Sequence, residues 1–214
     1  MDQTPAKLLS RWSKYPSTDS GKVEEEYDIF AKTYDGTLRG WQYKAPEVGA
    51  ELLKEFVPVE SKILDAGCGT GLTGLALKQH GFENIIGVDI SGASLEVARK
   101  KEVYRELHQV DLQMPLPFRD NEFDAVACIA VLGHIEAPSL LYEFCRVVRP
   151  GGHVVFSQRE DICYERNYEN MLRAIEESEL WRRKCVTEPM LYLPKNEDYA
   201  ERIKVQYFVY EVCV

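Results

Sequence analysis

The sequence predicts an α/β fold: a doubly wound, mostly parallel sheet of seven strands, with an antiparallel hairpin at its C-terminal edge and a helical segment in front. Three observations carry this expectation. A short apolar run, Lys62 to Leu64, ends at Asp65 and breaks into glycines at alternate positions, Gly67, Gly69 and Gly71, before a helix-forming stretch opens at Leu72. Apolar runs then alternate with segments of helical period as far as residue 158, the pattern of βαβ units with right-handed crossovers. The run from Ala125 to Leu132 is continuously apolar, as a strand buried on both faces must be.

Taken in order, residues 1–22 are polar and interrupted by Pro5 and Pro16, which predicts a mobile lead-in. Within it, Leu8, Leu9 and Trp12 have the spacing of a short amphipathic helix. A single domain is expected over 23–214, with 23–60 as a helical lid, 61–158 as the ligand-binding core and 159–214 as a C-terminal helix and edge strands. Tyr27, Phe30, Ala31 and Tyr34 recur at helical spacing from Val23, and Asp35-Gly36 is the expected stop. Pro46 suits the first turn of a second helix, to Phe56. Strands are expected at 62–66, 84–89, 105–111, 125–132 and 153–158, and helices at 71–80, 92–101 and 137–148. Gly81 reads as a helix C-cap and Ser91 as an N-cap. Past Arg159, a helix is expected over 168–181, followed by strands at 184–193 and 203–212.

The net charge of −9, with no cationic run, weighs against nucleic acid as a partner. No apolar stretch reaches the ~20 residues of a membrane span, and the first residues lack the pattern of a signal peptide. Six scattered cysteines without a CxxC pair predict reduced thiols in a cytoplasmic protein, the nucleus remaining open, and no metal site.

The turn after the first strand, and the acid Asp89 at the end of the second, together indicate an adenosine-containing ligand. Glycines permit positive φ and close backbone approach, and the following helix N-terminus offers unpaired N–H groups. The pattern G-x-G-x-x-G at Gly69, Gly71 and Gly74 leaves NAD open. Asp65, however, would repel a pyrophosphate and suits a ligand with ammonium and sulfonium groups. Asp111, at the end of the third strand, adds a third carboxylate.

The stretch Asp65-Ala66-Gly67-Cys68-Gly69-Thr70-Gly71 resembles the glycine motif of the class I S-adenosylmethionine-dependent methyltransferases, which share a Rossmann-like fold. Gly87-Val88-Asp89-Ile90-Ser91 is similar to their second motif, and Val147 to Gly152 to the turn before their fifth strand. The segment Tyr27 to Asp35, with Lys44-Ala45-Pro46-Glu47 after it, is similar to methyltransferase-like proteins of the Williams-Beuren syndrome region type.

The resemblance implies S-adenosylmethionine as cofactor, with S-adenosylhomocysteine as product. It places Asp65, Gly67, Cys68, Gly69, Gly71 and Leu72 at the turn, and Asp89 and Ile90 at the ribose. Asp111 and Leu112 fall at the adenine, and Ile129 on the fourth strand. A lid aromatic, Tyr34 or Trp41, would face the sulfonium.

Methyl transfer needs mainly alignment, and a base only for a protonated nucleophile. His134, after the fourth strand, is the candidate base, ahead of Glu136. Arg159, Tyr164 and Tyr192 are candidates for shaping the acceptor pocket. Residues 130–133, Ala-Val-Leu-Gly, depart from the Asn/Asp-Pro-Pro-aromatic motif of amino-directed nucleic-acid enzymes. The expected acceptor is thus a small molecule or a protein. A non-catalytic cofactor-binding module and an NAD-dependent oxidoreductase are the alternatives.

Overall fold

An eight-stranded sheet organises the chain, and the computed structural model describes residues 4–136, 138–199 and 202–214. Five parallel strands stand in the order β3-β2-β1-β4-β5: β1 (Lys62–Ala66), β2 (Asn84–Asp89), β3 (Glu106–Gln109), β4 (Phe123–Cys128) and β5 (Val148–Arg159). Next to β5 lies antiparallel β8 (Lys204–Val212), and beyond it the edge strand β6 (Trp181–Val186). A two-residue strand, β7 (Met190–Leu191), also pairs with β8 and accounts for the eighth strand where seven were expected. The strand order reverses between β1 and β4, which opens a crevice at their carboxyl ends.

Pleating divides the strand residues between two cores. One face carries Leu64, Val88, Val126, Phe156 and Tyr210 against helices α7 (Ser139–Val147) and α9 (Tyr168–Glu177). The other carries Ile63, Ile85, Ala127, Val155 and Val209 against α4 (Ala45–Phe56) and α5 (Leu72–Gln79). Helix α6 (Gly92–Arg99), N-capped by Ser91, links β2 to β3.

Three helices cross the carboxyl ends of the strands: α1 (Pro5–Lys14), α2 (Ser20–Phe30) and α3 (Tyr34–Gly40). Leu9, Phe30 and Leu38 from these helices join Leu193 and Tyr199 in a third apolar cluster. Where the sequence suggests a mobile lead-in, α1 is docked. Leu9 is 2% exposed, and the Ser10 hydroxyl lies 3.1 Å from Asn196 Oδ1. These partners are nearly the whole chain away in sequence, so local pattern does not reveal them.

Several boundaries differ from expectation. The helix expected from Val23 through Tyr34 breaks over 31–33, and Asp35-Gly36 lies inside α3 instead of ending a helix. Asp35 is held there by Thr70 and Lys101, a tertiary cause. Strand β4 stops at Cys128, because Ala130 takes a positive φ of 62° and its N–H donates to Ser157 Oγ at 2.8 Å. A short helix, α8 (Glu160–Glu165), follows β5 unannounced. Helix α9 ends at Glu177 rather than 181, with Glu179 at φ 59°, and Trp181 opens β6. Among the described residues, no helix is long and apolar enough to cross a membrane.

Candidate active site

A cleft opens at the crevice beneath the lid. Its floor is the glycine turn. Gly67, Gly69 and Gly71 all have positive φ, at 78°, 52° and 92°, which a side chain resists. A Cβ on Gly67 would come within 2.3 Å of Val131, whereas one on Gly69 would meet no atom within 4 Å. Asp89, ending β2, accepts the Gly69 N–H at 2.7 Å and the Ser91 N–H at 2.9 Å. Burial nevertheless raises its pKa to about 6.

Nine of the residues singled out in the sequence line this cleft. They are Gly67 and Gly69 on the turn, Asp89 and Ile90 after β2, Asp111 and Leu112 after β3, Ile129 and His134 after β4, and Tyr34 from the lid. Four others expected at the turn, Asp65, Cys68, Gly71 and Leu72, lie elsewhere. The pleat of β1 points Asp65 to the α5 side, where its Oδ2 accepts the Tyr104 hydroxyl at 2.7 Å. Its Oδ1 has no partner among the described residues, and burial raises the pKa of the carboxyl to about 7. Cys68 is buried beside Asp65 and Asp89. Gly71 backs onto Tyr104 and Ala98, and Leu72 lines a separate surface groove with Leu38 and Tyr43.

Tyr104 was not expected at the site. Its hydroxyl accepts the Gly74 N–H at 3.1 Å while donating to Asp65, so one phenol ties the start of α5 to the end of β1. A Cβ on Gly74 would lie 2.2 Å from the Tyr104 ring. The third glycine of the G-x-G-x-x-G pattern therefore makes room for a side chain of the protein, not for a ligand.

Two aspartates of the lid fasten it to the loops around the cleft. Asp28 of α2 accepts from Ser91 Oγ at 2.6 Å and from the Ala93 N–H at 3.1 Å. Asp35 of α3 accepts from Thr70 Oγ1 at 2.5 Å and pairs with Lys101 Nζ at 2.7 Å. Lid residues Ser20, Val23 and Tyr27 line the cleft, as does Gln113, which donates to the Thr18 carbonyl and the Ser20 hydroxyl. Tyr27 sits seven residues before Tyr34, two helical turns, and that stripe was the signal for it; Gln113 had no signal beyond its place after Asp111.

His134 is buried. Its Nδ1 lies 3.1 Å from the Ser17 carbonyl, which only accepts, so Nδ1 carries the hydrogen and Nε2 accepts the Tyr27 hydroxyl at 3.0 Å. Burial lowers its pKa to about 4, leaving it neutral at physiological pH.

A second cavity adjoins the first and shares Tyr27, Tyr34, Ala130 and His134 with it. Arg159 and Tyr192 line it. Tyr164 does not: it is 91% exposed on α8. Trp41 packs in the lid cluster, and Glu136 is exposed, its N–H donating to Gln113.

Comparison with known proteins accords with this geometry. A methyltransferase-domain family matches residues 64–156. The crystal structure of the cyclase SpnF superposes with a TM-score of 0.72 over 93% of this chain and 98% of that one, at 18% identity. A SAM-dependent methyltransferase from Thermotoga maritima gives 0.62 over 87% and 97%, at 20% identity. Likeness at such identities establishes the fold and no reaction. With the motifs in place on that fold, the chain belongs to the class I S-adenosylmethionine-dependent methyltransferases.

Among curated relatives, methyltransferase-like protein 27 of Homo sapiens is 32% identical over 162 residues, covering 72% of this chain and 66% of that protein. The ubiquinone biosynthesis O-methyltransferase of Alkalilimnicola ehrlichii is 36% identical over 108 residues, 45% of this chain and 40% of that one. The chain thus spans less than two thirds of the length of these relatives.

Proposed function

We propose that this chain transfers the methyl group of S-adenosylmethionine to a small-molecule or protein acceptor by in-line displacement. The observation that carries the reading is the pairing of Asp89 with the glycine turn. The carboxylate that closes on the Gly69 N–H faces a cleft in which Gly69 leaves open the space that a Cβ would take. Such a cradle fits a nucleoside. Asp89 would accept the ribose hydroxyls. Asp111, whose Oδ1 takes the Gln113 N–H, would offer its other oxygen to the adenine amino group. The ring of Tyr34 would face the sulfonium, worth ~0.5–2 kcal/mol. Asp65 serves the turn through Tyr104 rather than by touching the ligand. When bound, the cofactor supplies an electrophilic methyl and a neutral thioether leaving group. The chain contributes alignment, exclusion of water by the lid, and an uncharged His134 beside the methyl's path.

The six free cysteines suit a reducing compartment, and we place the activity in the cytoplasm. The negative net charge favours acceptors other than nucleic acid. Isothermal calorimetry tests the cofactor assignment: S-adenosylhomocysteine binds and NAD does not. Binding of NAD in its place overturns the reading. Transfer of labelled methyl from S-adenosylmethionine to a metabolite or protein extract then separates an enzyme from a binding module, which transfers none.

A further inference from the structure

We propose that the second cavity is the acceptor site and that it admits an uncharged hydroxyl compound, a compact phenol or alcohol, whose O–H donates to the hydroxyl oxygen of Tyr27. This rests on the methyltransferase reading above, because the cavity is an acceptor site only if the neighbouring cleft holds the cofactor.

Position is the first argument. The residues common to the two spaces, Tyr27, Tyr34, Ala130 and His134, form the boundary at which an acceptor atom would meet the methyl. Charge is the second. No described residue lining the cavity is a carboxylate, so a protonated amine would enter without a counterion. The cavity has one cation, Arg159, and its donors are taken. Nε donates to Asp161 Oδ1 at 3.0 Å, and Nη2 donates to Asp161 Oδ2 and, at 3.4 Å, to the Lys14 carbonyl. Nη1 donates to the Ser13 and Lys14 carbonyls at the end of α1. An anionic acceptor would therefore find no free positive group. Burying either kind of ion unpaired is costly, whereas a neutral molecule avoids the penalty.

The rest of the lining is uncharged: Leu38, Ile162, Leu193, Val205 and Tyr192 are apolar or aromatic, and Ser13, Ser157 and Gln158 are neutral polar residues. Within this lining the Tyr27 hydroxyl is directed by chemistry. Its hydrogen is committed to His134 Nε2, since the Ser17 carbonyl fixes the hydrogen of the ring on Nδ1. The Tyr27 oxygen is thereby left as an acceptor only, and an acceptor recognises an O–H and not an ether.

Calorimetric titration of the full-length protein saturated with S-adenosylhomocysteine provides the test, with phenol, anisole, benzoate and benzylamine as probes. Phenol should bind at least tenfold more tightly than benzoate or benzylamine and about fivefold more tightly than anisole. Tyr27→Phe should abolish the preference for phenol over anisole. Val205→Phe, which narrows the cavity from β8 without touching the first cleft, should weaken phenol at least tenfold with the same affinity for S-adenosylhomocysteine. It keeps the test open should Tyr27→Phe not fold. Equal or tighter binding of benzoate or benzylamine, no preference over anisole in the unmodified protein, or no binding of any probe overturns the proposal. Failure of S-adenosylhomocysteine to bind at all removes the underlying reading instead.

Discussion

Replacing Tyr104 by Phe probes the scaffold under the glycine turn. The ring still fills the space left by Gly74, so the change removes one oxygen and little packing. Two hydrogen bonds go with it: the donor to Asp65 Oδ2 at 2.7 Å and the acceptor for the Gly74 N–H at 3.1 Å. Because Oδ1 has no partner among the described residues, the buried Asp65 carboxylate loses its side-chain donor. Hydrogen bonds to charged groups contribute roughly 1.5–3 kcal/mol, and neutral ones about 0.5–1.5.

The sign of the pH dependence follows from Asp65, whose pKa is about 7 when folded against an ordinary 3.8. In that window the folded chain holds a proton that the unfolded chain has released. The burial cost is therefore absent below the ordinary value and complete above the folded one. Loss of the Tyr104 donor raises the folded pKa further, and each added unit is worth about 1.4 kcal/mol only once the group ionises. Tyr104→Phe should thus cost about 2 kcal/mol near pH 8 and about 1 near pH 5.5. At the higher pH this lowers Tm by roughly 4–8 °C in a chain of this length. Urea unfolding followed by tryptophan fluorescence at both pH values reads the difference. An equal loss at both, or a loss below about 0.5 kcal/mol near pH 8, would refute the assignment of Tyr104 as the partner that steadies Asp65.

Three further outcomes are expected. Affinity for S-adenosylhomocysteine should be flat above about pH 7 and fall by up to tenfold per pH unit below about 6, as Asp89 takes up its proton; Asp89→Asn should bind more weakly and lose that dependence, and a flat profile in the unmodified protein down to about pH 5 removes the charge of Asp89 from recognition. Gly69→Val should leave the fold intact apart from about 1–2 kcal/mol of backbone strain at φ 52° and reduce affinity at least tenfold, checked by circular dichroism and calorimetry; normal affinity in the folded variant means the space above Gly69 is not used by the ligand. Arg159→Met should release α1 from the end of β5, costing about 1–3 kcal/mol and speeding hydrogen exchange over residues 5–14; unchanged exchange there means the apolar contacts of Leu9 suffice to hold the helix.

The candidate cleft was legible because its parts are local. A strand, three alternating glycines and a helix start lie within Lys62 to Leu72, and Asp89 closes the next βαβ step, so spacing alone places Gly67, Gly69 and Asp89 on one crevice. Local pattern does not show to which side Asp65 points. The acid looks like part of the turn in sequence, yet alternation along β1 turns it to the α5 face, toward a tyrosine 39 residues away. Ala130 offered no warning of its left-handed backbone, since an alanine in an apolar run reads as strand; only the N–H accepted by Ser157, 27 residues on, explains the bend that brings His134 to the cleft. Likewise the break between α2 and α3, and the docking of α1, depend on contacts with Thr70, Lys101, Arg159 and Asn196 that have no trace in the local pattern.

The two acidic hooks of the N-terminal helices, Asp28 on the cap of α6 and Asp35 on Thr70 and Lys101, grip the backbone beside the candidate cleft. If the cleft holds the cofactor as proposed, exchange of spent cofactor for fresh would be eased when both hooks loosen. Hydrogen bonds and ion pairs this near the surface loosen as salt screens them. Turnover limited by that departure would quicken with ionic strength, a kinetic trait written into the cover of the molecule and not into its chemistry.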